Sequence, residues 1–158
     1  MAEHEHTYRL QIEWTGNRGS GTSAYRAYGR EHTIRAAGKA DIAGSSDPAF
    51  RGDAARWNPE ELLVAAAATC HQLWYLHLCA DAGIVVLRYV DDTVGTMRDN
   101  PERGCFTRIV LRPRVVIRAG GDAALAARLH HDAHARCYVA NSVNFPIECE
   151  PVIEVATG

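Results

Sequence analysis

Several things are missing from this sequence, and each absence removes a class of function. There is no basic excess: 17 Lys and Arg stand against 19 Asp and Glu, for a formal net charge of -2. Nothing here would neutralise a phosphate backbone, so nucleic acid is not an expected partner. The opening MAEHEHTYRL has no cationic start followed by an apolar run, so a secretory leader is not expected and a cytoplasmic location is. There is no disulfide framework either. The five cysteines are an odd number, widely spaced at 70, 79, 105, 137 and 149. In a reducing compartment such cysteines are mostly small buried hydrophobes, with one or two left to react. Neither a repeat, a low-complexity tract nor a linker is present. The 158 residues make one ordinary domain, so 1–158 is read as a single unit.

The one long apolar run, residues 62–80, also lacks what a membrane span needs. It is interrupted by Thr69, His71, Gln72 and His77, and it is flanked by Glu60, Glu61 and Asp81 instead of Lys or Arg. That pattern predicts a buried helix of a soluble protein and no membrane partner.

What is present is enough for a core: 47% of residues are hydrophobic. TYRLQIEW, residues 7–14, alternates and predicts a strand. TGNRGSGT is a Gly-rich turn. Residues 23–36 predict one or two strands broken at Gly29, and the polar stretch 38–57 predicts a loop. After the long helix come residues 84–97 and 105–119, both β-branched and alternating, which predict an antiparallel hairpin. A second helix follows over 121–137, and 145–155 closes the chain as a strand. The order strands, helix, two strands, helix, strand is α+β with antiparallel sheet and two helices.

The first helix is well specified at both ends. Asn58 suits the N-cap, Pro59 the first helical position, and Glu61, three residues after Asn58, completes a capping box. Gly83 is a natural residue just past the C-terminus. The helix is apolar nearly all round, more than one face of a small sheet covers, and a homodimer is the simplest remedy. At 100° per residue, Cys70 shares a face with Leu73, Trp74 and His77, while Cys79 points the other way. A lone mid-helix cysteine is most often a packing residue. On the second helix, N-capped by Asp122, His130, His134 and Cys137 fall at i, i+4 and i+7. They suit either a solvated polar face or three zinc ligands, although no CxxC or HExxH accompanies them.

From Trp57 to Ile84, WNPEELLVAAAATCHQLWYLHLCADAGI resembles the central-helix signature of the OsmC/Ohr family of hydroperoxide-reducing proteins. That signature has Asn-Pro-Glu, a stretch rich in small residues, then a Cys ten residues after the Glu; Glu60 and Cys70 stand at those positions. HARCYVANSV places Cys137 where the family has a second Cys, and GNRGSGT resembles its Arg-containing turn, which places Arg18. The resemblance runs over nearly the whole chain, and CHQLWYLHLC is similar to the OsmC-like branch. Two departures stand out: Tyr138 occupies the place where Pro often follows the second Cys, and the loop between Thr33 and Trp57 is long.

The resemblance implies an OsmC-like fold in an intertwined homodimer with shared active sites. It implies a cofactor-free thiol peroxidase that reduces organic hydroperoxides in oxidative stress defence. Cys70 would be the peroxidatic cysteine and Cys137 the resolving one. Attack on the O–O bond needs a thiolate, which burial disfavours and a neighbouring guanidinium restores. Arg18 would supply that charge and bind the peroxide oxygens, and Glu60 would hold Arg18. A dithiol reductant, in this family often a lipoylated protein, would reopen the disulfide. Ten residues along a helix is about 15 Å, so Glu60 and Cys70 of one chain do not touch, and a shared site needs the second chain. The alternative is a metal- or small-ligand-binding dimer of the same fold without peroxidase activity, using His130, His134 and Cys137.

Overall fold

The computed structural model describes residues 4–157, and the chain divides into two units, Met1–Leu62 and Leu63–Gly158. In the first unit, β1 (Gln11–Trp14), β2 (His32–Arg35) and β3 (Ile42–Gly44) form an antiparallel sheet in the order β1-β2-β3, with Ile12, Ile34 and Ile42 in register. The first strand is shorter than its alternating pattern. Only one strand forms in 23–36, because the Arg30 guanidinium turns the preceding segment back. It donates to the carbonyls of Tyr28 and Tyr25 at 2.7 and 2.9 Å and stacks over both rings. The third strand lies inside the stretch expected to be a loop. Three residues carry little periodicity; their partners in β2 and the bond from Trp57 N–H to the Ala43 carbonyl make them a strand.

Helix α1 (Pro59–Asp81) begins and ends as its sequence predicts. Glu61 N–H donates to Asn58 Oδ1 at 2.8 Å and Asn58 N–H donates to Glu61 Oε2 at 3.2 Å, which is the capping box. Gly83, at φ 72°, lets Ile84 N–H reach the Cys79 carbonyl and Gly83 N–H the Ala80 carbonyl. The helix is long and apolar enough to cross a bilayer by length and composition, with only 28% of its most apolar window buried. The buried residues of α1, Ala67, His71, Tyr75, Leu78 and Cys79, follow helical spacing, so one face is covered and the rest is open.

In the second unit the predicted hairpin forms, but each of its strands is cut in two. The first gives β4 (Val86–Asp91) and β5 (Val94–Arg98); the second gives β6 (Cys105–Leu111) and β7 (Pro113–Ile117). After α2 (Ala123–Arg136), the last predicted strand is also split, into β8 (Ile147–Cys149) and β9 (Val152–Val155). The halves sort into two sheets, β4-β7-β9 and β5-β6-β8. The hairpin pairs are antiparallel, while β8 joins β6 and β9 joins β7 in parallel. The breaks fall side by side, at Asp92–Thr93, Arg112 and Glu150–Pro151. Arg112 ties them: its backbone N–H donates to Asp91 Oδ1 at 2.7 Å and its Nε to Glu150 Oε2 at 2.8 Å. Pro113 and Pro151, which lack an N–H, mark the same line.

The two sheets give two cores. Ala67, in the first half of α1, packs with Ile109, Leu111 and Ile147 of the β5-β6-β8 sheet. Tyr75, Leu78 and Cys79, in the second half, pack with Val115 and Ile117 of β7 and with Ala126, Leu129 and Ala133 of α2. Burial of these side chains is what holds a mostly open helix in place.

Candidate active site

Cys70 sits mid-way along α1 and is half-buried; its thiol is free. It lines an apolar cleft of about 320 Å3 with Leu73, Trp74, His77 and Tyr138. The face predicted from helical spacing is therefore the wall of a cleft, and His77 on it is exposed, bonded to Asp81 at 3.3 Å one turn on. Tyr138 was not legible as a site residue. Its ring meets Trp74 edge to face at 5.8 Å and closes the cleft, and the Arg136 guanidinium lies 5.8 Å from the same Trp74 ring.

Cys137 ends α2. Helical spacing places it on one face with His130 and His134, but it is the C-cap, with extended backbone at φ -68° and ψ 111°, so its side chain leaves the helix row. That corrects the His130–His134–Cys137 alignment. The Cys137 thiol is 1% exposed and interacts with the Cys70 thiol. Burial pushes it up to about 11; the backbone N–H groups of Ala140, at 3.5 Å, and Val139 work against that rise. At neutral pH Cys137 is a thiol.

Arg18 and Glu60 belong to the first unit. Asn17 Oδ1 accepts the N–H groups of Gly19 and Gly21 at 2.9 and 3.0 Å, and this shapes the turn that carries Arg18. The Arg18 side chain is 62% exposed and pairs with Glu31 at 3.7 Å. Within one protomer its carboxylate partner is Glu31; the expected pair with Glu60 is not made. Glu61 caps the helix, while Glu60 Oε2 is shielded and has no hydrogen-bond partner among the described residues.

His130 also departs from expectation. Instead of facing solvent it is buried, as is His71; their exposures are 3% and 1%. His71 Nε2 and His130 Nδ1 are 2.9 Å apart, and the His130 ring stacks on Tyr75 at 3.8 Å between centroids. Burial holds both imidazoles well below the usual range, helped by His134 for His71 and by His71 for His130, so both are neutral at pH 7. Cys149 lies against this pair.

An α+β chain with a long central helix, a second helix and strands that split between two small sheets has OsmC-like architecture. The OsmC-like protein family matches residues 52–151, and the chain belongs to that family. It is 26% identical to the uncharacterised protein YmaD of Bacillus subtilis, across 98% of this chain and 97% of that protein. Its structure is similar to that of an OsmC-like protein of unknown function from Vibrio cholerae, with TM-score 0.85 and 28% identity over 94% of this chain and 100% of that one. An organic hydroperoxide resistance protein, OsmC, from Legionella pneumophila shares the fold with TM-score 0.66 and 17% identity, over 97% of this chain and 100% of that one.

Proposed function

We propose that the protein is a thiol-dependent peroxidase that reduces organic hydroperoxides, with Cys70 peroxidatic and Cys137 resolving. The observation that carries this reading is that Cys70 lines an apolar cleft while its thiol interacts with the buried thiol of Cys137. Family membership, with hydroperoxide-resistance proteins among those of the same fold, supports it. An apolar cleft suits the organic part of an alkyl hydroperoxide better than hydrogen peroxide.

The Cys70 thiolate attacks the terminal peroxide oxygen. The O–O bond breaks, the alkoxide takes a proton and leaves as alcohol, and Cys70 becomes a sulfenic acid. Cys137 then attacks that sulfur. Its proton and the departing hydroxide form water, and a Cys70–Cys137 disulfide remains. The two thiols have supplied the two electrons that reduced the peroxide. A dithiol reductant, such as a lipoylated protein, restores them by exchange. In this reading Arg18 provides the cation that favours the thiolate, Glu60 the carboxylate that aims it, and a second copy of the chain completes the site. The guanidinium of Arg18 is exposed, and among the described residues its one carboxylate partner is Glu31 at 3.7 Å, which leaves it able to take that role. A homodimer also accounts for the open apolar face of α1.

The test is to mix reduced protein with an alkyl hydroperoxide and map the linked cysteines by mass spectrometry. Peroxide should be consumed and a Cys70–Cys137 disulfide formed. Undiminished turnover in Cys70→Ser would sink the proposal.

A further inference from the structure

The peroxide chemistry uses two of the five cysteines and none of the buried histidines. His71 on α1, His130 on α2 and Cys149 at the end of β8 converge from three elements. Their ligand atoms lie within 4.8 Å of one another, and they are the one cluster of metal-ligating side chains of this kind among the described residues. His71 Nε2 and His130 Nδ1 are 2.9 Å apart; Cys149 Sγ is 3.7 Å from the first and 3.8 Å from the second.

Those separations match one face of a zinc tetrahedron. Zinc–nitrogen bonds of about 2.0–2.1 Å and a zinc–sulfur bond of about 2.3 Å put two nitrogens about 3.3 Å apart and each nitrogen about 3.5 Å from the sulfur. The three atoms need to move by only a few tenths of an ångström to share one ion. We propose that His71, His130 and Cys149 bind a divalent transition-metal ion, zinc above all, on α1, α2 and β8. Two imidazoles and a thiol are a borderline-soft set, unsuited to calcium or magnesium, which take oxygen.

Binding changes the protons at the site in a defined way. The Cys149 thiol gives its proton to solvent and bonds the metal as thiolate. The hydrogen bond between the imidazoles breaks, and the proton it held moves to the outer nitrogen of its own ring. Both inner nitrogens are then lone-pair donors. The outer nitrogens, His71 Nδ1 and His130 Nε2, have no hydrogen-bond partner among the described residues, so neither tautomer is pinned. A cleft of about 310 Å3, lined by His130, His131, His134 and Cys149 among others, gives the ion a way in. Three protein ligands leave a fourth position, for water or for His134 from the next turn of α2.

This site does not compete with the disulfide, because its sulfur is Cys149 and not Cys137. It stands independently of the peroxidase reading. Its consequence is that Cys149, half-buried at the end of β8, is kept out of thiol–disulfide exchange while Cys70 and Cys137 cycle.

The experiment uses the full chain, reduced and stripped with a chelator, then loaded with Zn2+ or Co2+ alone. One zinc per chain should survive gel filtration. Cobalt should give a thiolate-to-metal charge-transfer band with the intense visible bands of a tetrahedral site. Zinc should slow alkylation of Cys149 by about tenfold or more, without slowing that of exposed Cys105. Cys149→Ser should lose the cobalt band and the retained zinc, and Cys137→Ser should keep both. His130→Asn, checked for fold by circular dichroism, should also lose the metal. The proposal is overturned if the wild-type chain retains no zinc, or if Cys149→Ser retains it undiminished. It is also overturned if the metal follows Cys137. Peroxide turnover of the metal-free protein is measured separately, so loss of either reading leaves the other standing.

Discussion

At the scale of the residue, the two thiols differ because their surroundings differ. Cys70 lines a cleft, whereas Cys137 is buried, and burial raises Cys137 to about 11. A group raised this far is protonated over the whole neutral range and becomes nucleophilic only as pH climbs towards its own value. In Cys70→Ser, the alkylation rate of Cys137 should therefore keep rising beyond about pH 10, past the range of an ordinary thiol at about 8.5. A plateau near pH 8–9 would show that the site is wetter than its geometry. The converse variant, Cys137→Ser, leaves the Cys70 sulfenic acid without its partner. Peroxide consumption should then fall off within a few turnovers, with Cys70 recovered as sulfinic acid by mass spectrometry. Sustained turnover with a dithiol reductant would mean that Cys137 is not the resolving thiol.

At the scale of the element, α1 is the piece on which the second unit is built, and two positions control it. Asn58 is 6% exposed and its side chain accepts from Glu61 N–H. Asn58→Ala should cost about 1 kcal/mol of stability in a urea titration, and Asn58→Asp much less. Gly95 on β5 lets the helix approach the sheet: a Cβ there would meet Val64 Cγ2 at 2.4 Å and Phe106 Cε1 at 3.0 Å. Gly95→Ala should destabilise by about 1–3 kcal/mol through overpacking, and Val64→Ala in the same chain should recover part of it. An unchanged midpoint in the single variant would remove Gly95 from this account. The split strands show a second lesson at this scale. Arg112, Asp91 and Glu150 interrupt runs whose alternation continues almost unbroken through them, so periodicity reads one strand where the chain turns into a second sheet.

At the scale of the whole molecule, the proposed site needs a second chain. Glu60 and Cys70 are about 15 Å apart along one helix, and α1 leaves most of its most apolar window unburied. Sedimentation should return twice the chain mass. Mixing inactive Arg18→Ala with inactive Cys70→Ser after unfolding and refolding should restore about a quarter of wild-type turnover. Random pairing makes half the molecules heterodimers, each with one complete site. No restored turnover would mean that each chain supplies its own arginine, and an Arg18→Ala chain that is active by itself would mean that Arg18 has no part in the site.

The sequence alone determined what depends on neighbours along the chain. Both ends of α1, the N-cap of α2, the face that carries Cys70 with Trp74 and His77, and the α+β order are set by capping chemistry and helical period. Tertiary structure decided what depends on distant partners. It gave β3 its strand and folded each long strand across two sheets. It also turned Cys137 off the helix row towards Cys70, and it buried His130 against His71, 59 residues away, with Cys149 beside them. No local pattern encodes such a meeting, because two imidazoles and a thiol become a site only when three separate elements pack around one point.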